Sequence, residues 1–411
     1  MKVFHTLNKV TSHASRFLAT RRQRNFIDHH ATELFHAPTG EDRYKVAVYF
    51  ADEMINAYQI RQWYEPMKRL AEFLPIVVIV RRPDTALALR EECPLPVHYA
   101  PSIEDVERLV DSQDLRLVFY VNQNVSNFQM MRFNEPDHVF ICHGESEKAY
   151  MWSNQLKAYD YVFTAGRAAQ DRLALHLRNF ETQKRTRLIG RPQIDVTYPA
   201  PTTLNPELPT VLYAPTWEGD RPSMKYGSVV SHGEKLVEAL INDGGFNIIF
   251  RPHPRSGMSS DAYGKAVDRI RKKLETANVA SGAQLIFDDS SQWGWQWSAS
   301  DACITDISAA AYDFLATGKP MFVTKPVARE AMVTDSPALS KLPALSCEVA
   351  ANLPSLVRGA LAEENADFNE IVEYYFGDVT HGESMHRFLT ESLKLVVGEI
   401  QSEKLPLRRA A

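Results

Sequence analysis

The interval 192–209 constrains this chain more than any other feature. It holds Pro192, Pro199, Pro201, Pro206 and Pro209, a density that neither a helix nor a central strand tolerates. On both sides of it, short apolar runs of strand length alternate with amphipathic stretches of helical length. Strands are predicted before it over 45–50, 76–80, 115–121, 138–142, 161–164 and 187–189, and helices over 54–71, 103–111 and 168–177. Beyond it the alternation restarts, with strands over 211–214, 247–250, 284–287, 302–305 and 321–324. Helices are predicted there over 232–241, 262–277, 308–317 and 352–362, and a last amphipathic helix over 384–400. Strands apolar on both faces and separated by helices imply parallel sheets covered on both sides. Two α/β domains joined by a linker would set a cleft between the carboxyl ends of two sheets, where open α/β folds bind ligands. The expected segments are 1–43, 44–200, 201–383 and 384–411.

Composition narrows the function classes. The chain has 411 residues, 45% hydrophobic and 24% charged, as a globular protein does. Its 46 Lys and Arg against 51 Asp and Glu leave a net charge of −5, which speaks against a general nucleic-acid binder. No apolar run nears the roughly 18–20 residues of a spanning helix, and the start lacks the apolar core of a signal peptide. Cys93, Cys142, Cys303 and Cys347 form no CxxC pair, so neither a disulfide framework nor a zinc ribbon is expected, and the compartment is read as reducing and cytoplasmic. Residues 1–27 carry Lys2, Lys9, Arg16, Arg21, Arg22 and Arg24 with no acidic residue. A basic amphipathic helix of this kind lies either on an anionic membrane surface or on the protein's own body with its charges in water.

Polar residues placed directly after apolar strands are the candidate chemistry. In Val139-Phe-Ile-Cys-His143-Gly144-Glu145-Ser146, a strand-end His followed by Gly brings an imidazole to the ligand-binding edge with room at the backbone; a structural His is the alternative. The tetrapeptide recurs at His381-Gly-Glu-Ser384, but no strand precedes that copy and Ser384 is expected to cap the final helix. Val211-Leu-Tyr-Ala-Pro215-Thr216-Trp217 presents a hydroxyl and an aromatic plane from a rigid turn. In Arg251-Pro-His253-Pro-Arg255, two prolines fix a His between two cations, and guanidinium groups suit diphosphate oxygens. Ala302-Cys-Ile-Thr305-Asp306-Ile307-Ser308 leads into a small-residue helix start before Tyr312-Asp313, which suits an anion or is simple capping. Trp293, Trp295 and Trp297 are expected to pack rather than to stack on a base. No Walker loop, GxGxxG, GxSxG elbow or metal-ligand spacing is present in the sequence.

Together these segments resemble the CDP-glycerol glycerophosphotransferase family, the teichoic-acid and capsule polyol-phosphate transferases of bacteria. His143-Gly144 with Lys148 looks like its His-Gly-x-x-x-Lys, and Gly190-Arg-Pro192-x-x-Asp195 like its Gly-x-Pro-x-x-Asp. Tyr213-Ala-Pro-Thr216-Trp217 and Arg251-Pro-His253-Pro254 resemble two further motifs, and Thr305-Asp306-Ile307-Ser308 with Tyr312-Asp313 a third. Gly377-Asp378 ahead of Ser384 and Arg387 is similar to its terminal pattern, so the likeness runs over about 138–390. Glu145-Ser146-Glu147 departs from the Thr-Pro-Leu usual there, Ile307 from a Tyr and Ala309 from a Ser.

The resemblance implies a GT-B fold of two Rossmann-like domains facing across a cleft. It implies an acceptor-side first domain and a second domain that holds a CDP-activated donor. It makes His143 the general base and puts His253 and Ser308 at the donor diphosphate. Thr216, Arg251, Arg255, Thr305 and Asp306 join them as donor-side candidates, Asp313 is a candidate for the ribose, and Gly144, Glu145 and Lys148 are acceptor-side candidates. Glu145 or Glu147 is a candidate to orient the imidazole. The expected reaction transfers a polyol phosphate to a glycopolymer or lipid-linked hydroxyl with release of CMP, at the inner face of the cell membrane. No cofactor is expected, and a divalent metal is expected to be dispensable. A nucleotide-sugar glycosyltransferase is the nearest alternative, a non-catalytic scaffold the more distant one.

Overall fold

The computed structural model describes residues 18–30, 37–146, 148–277, 280–331, 342–363 and 368–399. Its strands are β1 (Val46–Phe50), β2 (Ile76–Val80), β3 (Val97–Tyr99), β4 (Leu117–Tyr120), β5 (Asp137–Phe140), β6 (Tyr161–Thr164) and β7 (Thr186–Leu188). These are followed by β8 (Thr210–Ala214), β9 (Asn247–Phe250), β10 (Leu285–Phe287), β11 (Ala302–Thr305), β12 (Met321–Thr324) and β13 (Ala344–Leu345). They form a seven-stranded sheet in the order β3-β2-β1-β4-β5-β6-β7 and a six-stranded sheet in the order β10-β9-β8-β11-β12-β13. The central pairings run parallel, β1 with β2 and β4, and β8 with β9 and β11. The chain divides into two compact units. The first takes in the described residues up to His143, then Gln155–Phe163 and the described residues from Leu389 onward. The second takes in Gly144–Asn154 and Thr164–Phe388.

The second sheet shows why its strands read as continuous apolar runs. Val211 and Tyr213 of β8 pack into one core with Ile248, Phe250, Ala302 and Ile304. Their neighbours Leu212 and Ala214 enter the core on the opposite face with Ile249 and Cys303. Successive side chains alternate across the sheet, so both must be apolar when helices cover both faces. In the first sheet, β1 and β2 are buried along their whole length for the same reason.

The helices follow the amphipathic stretches with informative exceptions. The single helix expected over 54–71 is broken into Met54–Asn56, Tyr58–Arg61 and Tyr64–Ala71. Pro66 lacks an N–H and fits only the first turn of a helix, which is where the last of these places it. The helix Pro83–Glu92 has Pro at its first position, where its fixed φ is an advantage. Trp295 and Trp297 are buried, as packing residues are. Gly294, at φ +107, turns the chain where a Cβ would run into the Tyr198 ring.

Ser384 does not cap the final helix. It lies inside Glu383–Val397, fully buried, with its hydroxyl accepting from Arg387 Nη2 at 3.2 Å. Most of the basic N-terminal segment falls outside the described residues; a helix spans 18–30, with Leu18 and Phe26 about half exposed and Ile27 buried. No described helix is long and apolar enough to cross a membrane.

Candidate active site

The first unit brings His143 to the edge of its sheet just beyond β5. Cys142, immediately before it, adopts φ +53, a left-handed conformation that costs a non-glycine residue energy and needs support from its surroundings. Trp63, almost fully buried, supplies that support by donating Nε1–H to the Cys142 carbonyl at 2.5 Å. The His143 ring then lies with Nδ1 3.3 Å from the Val121 carbonyl and meets the edge of the Tyr58 ring. A carbonyl only accepts, so Nδ1 carries the proton and the basic lone pair of the neutral ring is on Nε2. Beside it, Asn122 donates Nδ2–H to Asp52 at 3.0 Å and to Gln59 at 2.8 Å. This polar group at the ends of β1 and β4 has no local sequence signature and was not anticipated.

In the second unit, Asp306 organises the ends of three adjacent strands. It is fully buried after β11. Its Oδ2 accepts the backbone N–H of Thr216, at the end of β8, at 2.8 Å and that of Ser228 at 3.1 Å. Its Oδ1 accepts the hydroxyl of Thr324, which ends β12. Thr305 donates to the Ala214 carbonyl at 2.8 Å and stands 3.3 Å from Ser308 Oγ. Ser308 precedes the seven-residue helix Ala309–Leu315 and makes no side-chain cap to it. Lys148 reaches this group with Nζ 3.4 Å from Thr216 Oγ1.

Burial pushes the Asp306 carboxyl up to about 6, against the hydrogen bonds from Ser228, Thr324 and Thr216 that pull it down. The folded value lies above the ordinary 3.8, so the folded state binds the proton more tightly than the unfolded chain. Stability from this group is therefore greatest when it is protonated and falls as pH rises from about 4 to about 6. Asp306→Asn removes that dependence. Between pH 4 and pH 7 the unfolding free energy should shift in favour of the variant by on the order of 1.4 kcal/mol per unit of displacement. Urea unfolding of both proteins at the two pH values measures the shift, and parallel pH profiles would refute it.

The segment after β9 is a fixed turn. The Arg255 N–H donates to His253 Nδ1 at 3.1 Å, which makes Nδ1 the acceptor and puts the proton of the neutral ring on Nε2. Trp217 stacks against the His253 ring, and the Arg255 guanidinium lies 3.9 Å from the Trp217 ring centroid. Arg255 Nε is buried, with no hydrogen-bond partner among the described residues. Arg251 points instead to Asp288, which also accepts from Gln296 and Ser290. Glu218 holds the next loop, accepting the N–H groups of Gly257, Ser259 and Ser260 at 3.0, 2.7 and 3.0 Å.

Several expected residues have partners that local sequence did not suggest. Asp313 is buried against Arg191, with Oδ1 2.7 Å from Nε and Oδ2 3.4 Å from Nη2. Glu145 is buried in an ion pair with Arg172 and accepts the Ser146 N–H at 2.9 Å, while Glu147 lies outside the described residues. The space expected at Gly144 for a ligand is occupied, since a Cβ there would stand 2.7 Å from the Ala309 methyl. Gly144, Glu145 and Lys148, expected on the acceptor side, are all in the second unit. Among the described residues no group of three or more His, Cys, Asp or Glu is arranged to hold a metal ion.

The motif resemblance has an independent counterpart. Residues 142–328 match the family model CDP-Glycerol:Poly(glycerophosphate) glycerophosphotransferase. That region begins one residue before His143 and takes in all four strand-end segments. By structure the chain is similar to the wall teichoic acid polymerase TagF, at 13% identity and a TM-score of 0.56, over 95% of this chain and 99% of that one. It is also similar to a putative UDP-N-acetylglucosamine 2-epimerase from Listeria monocytogenes, at 11% identity and a TM-score of 0.56, over 86% and 96% of the two chains. The S. aureus MnaA–UDP complex gives 13% identity and a TM-score of 0.54, over 86% and 97%. No curated protein matched the chain by sequence. The fold is GT-B, as the motif resemblance implies, and the two parallel sheets are those expected from the two runs of strand–helix alternation.

Proposed function

We propose that the protein is a glycerophosphotransferase-type transferase of cell-wall teichoic acid synthesis that moves a polyol phosphate, glycerol phosphate foremost, from a CDP-activated donor to an acceptor hydroxyl. The observation that carries this is the family match over 142–328, because it spans every strand-end segment singled out by its chemistry. In the reaction the acceptor oxygen forms a bond to the β-phosphorus in line with the bond that breaks, and CMP leaves with that bonding pair. The acceptor proton passes to Nε2 of His143, the nitrogen that the Val121 contact leaves basic. His253, Arg255, Thr216 and Ser308 stabilise charge on the diphosphate, and phosphoryl transfer depends chiefly on such positioning and electrostatics. Asp306 and Asp313 act as positioning residues: one ties strand ends together, the other holds Arg191.

A lipid-linked acceptor would lie at the inner face of a membrane, where the basic residues of 1–27 would favour an anionic surface. The donor chemistry needs no divalent ion in this scheme. The deciding assay incubates the protein with CDP-glycerol, CDP-ribitol and UDP-sugars in turn, with and without chelator, over a panel of glycopolymer acceptors. CMP release and a new phosphodiester from a CDP-polyol, undiminished by chelator, are expected. A glycosidic product with release of a nucleoside diphosphate would replace phosphotransfer by the glycosyltransferase reading.

A further inference from the structure

Among the described residues Lys148 makes no ion pair. Its ammonium has three donors, yet the hydrogen bond it makes among the described residues is the 3.4 Å contact to Thr216 Oγ1. Its Nζ also lies over the face of the Tyr226 ring, 5.6 Å from the centroid. Burial lowers the Lys148 ammonium to about 8, with the Asp306 charge only partly opposing. Asp306 acts on it at a distance, and its oxygens accept from Thr216 N–H, Ser228 N–H and the Thr324 hydroxyl. Thr216 itself is held through both of its backbone polar groups: its N–H is on Asp306, and its carbonyl accepts the buried Tyr263 hydroxyl. A fixed hydroxyl beside a poorly paired, largely desolvated ammonium is an arrangement that an oxyanion stabilises, since burying a charge is costly until an opposite charge joins it.

We infer that Lys148 and the Thr216 hydroxyl together bind a phosphate group of the nucleotide diphosphate, so that Lys148 serves the donor and not the acceptor. This rests on the proposed donor reading of the second unit and moves to it a cation that the sequence offered as an acceptor-side candidate. Lys148 comes from the segment just after His143, while Thr216 lies just beyond β8; the two are 68 residues apart in sequence. Neither Arg251, committed to Asp288, nor Arg191, committed to Asp313, supplies this charge.

The test is calorimetric titration of cytidine, CMP and CDP into the full-length protein and into Lys148→Met, with thermal unfolding of both in the absence of nucleotide. Loss of a charge-assisted hydrogen bond corresponds to about tenfold to a hundredfold in affinity. CDP should weaken by that factor in the variant while cytidine is unchanged, and the unliganded variant should unfold at no lower a temperature. CDP affinity within twofold of the unaltered protein overturns the inference and leaves the donor reading standing. A uniform loss across the three ligands, or a lowered unfolding temperature, assigns the ammonium to structure and also overturns it. If the unaltered protein binds UDP and not CDP, the cytidine reading falls, and the same ladder with uridine, UMP and UDP tests Lys148. Absence of binding to either series overturns both.

Discussion

His143→Ala should lower the rate of transfer by about 10²–10⁴, the range that a positioned general base contributes, while CDP binds as it does to the unaltered protein. The expectation follows from how the ring is held. The Val121 carbonyl fixes the tautomer with Nε2 basic, and the Tyr58 ring edge fixes the plane. The left-handed turn at Cys142, stapled by the Trp63 indole, fixes the point from which the side chain leaves the backbone. None of these contacts holds the fold as a buried core residue does, so the variant should unfold near the same temperature. A single-turnover assay with saturating donor separates the chemical step from binding. Turnover within a factor of a few of the unaltered protein would remove His143 from the chemistry. A matching loss of CDP affinity would make it a binding residue instead.

Asp313→Leu should destabilise the protein by about 3–5 kcal/mol, the cost of leaving one member of a buried ion pair without its partner. Arg191 and Asp313 are 4% and 2% exposed, so water cannot take over the role of the lost carboxylate. The pair links the segment preceding the turn Pro192–Asp195 to the helix that follows β11. Losing it therefore loosens the Ser308 side of the proposed donor site as well as the fold. The double variant Arg191→Met with Asp313→Leu should regain most of the loss, since an apolar pair of similar volume avoids the desolvation of both charges. Urea unfolding of the single and double variants measures this. A double variant no more stable than the single one would show that the cost comes from packing and not from the orphaned charge.

The strands were legible because their signal is local. Ile76–Val80, Tyr161–Thr164, Asn247–Phe250, Ala302–Thr305 and Met321–Thr324 have the predicted bounds, each an apolar run that a two-sided parallel sheet requires. The short strands Val97–Tyr99 and Ala344–Leu345 were not, since two or three residues at a sheet edge carry no such run. The strand-end positions of His143, Thr216, His253 and Asp306 followed from the same runs, because a residue directly after an apolar strand has only the sheet edge to occupy.

What each of those side chains touches was decided elsewhere. Arg191 meets Asp313 across 122 residues of sequence and Asp306 meets the Thr216 N–H across 90. Arg172 and Glu145 are 27 apart, and Lys148 and Thr216 are 68 apart. Apolar periodicity specifies which face of an element is buried, and with it the order of strands and helices and the two-domain class. A hydrogen bond or ion pair needs two groups within about 3 Å in a set direction. For groups on different strands that geometry arises only once the sheet order has brought their ends together. The sequence by itself therefore determined the strand and helix elements and the residues available for chemistry, while the tertiary structure decided which carboxylates serve as braces and which group each candidate side chain meets.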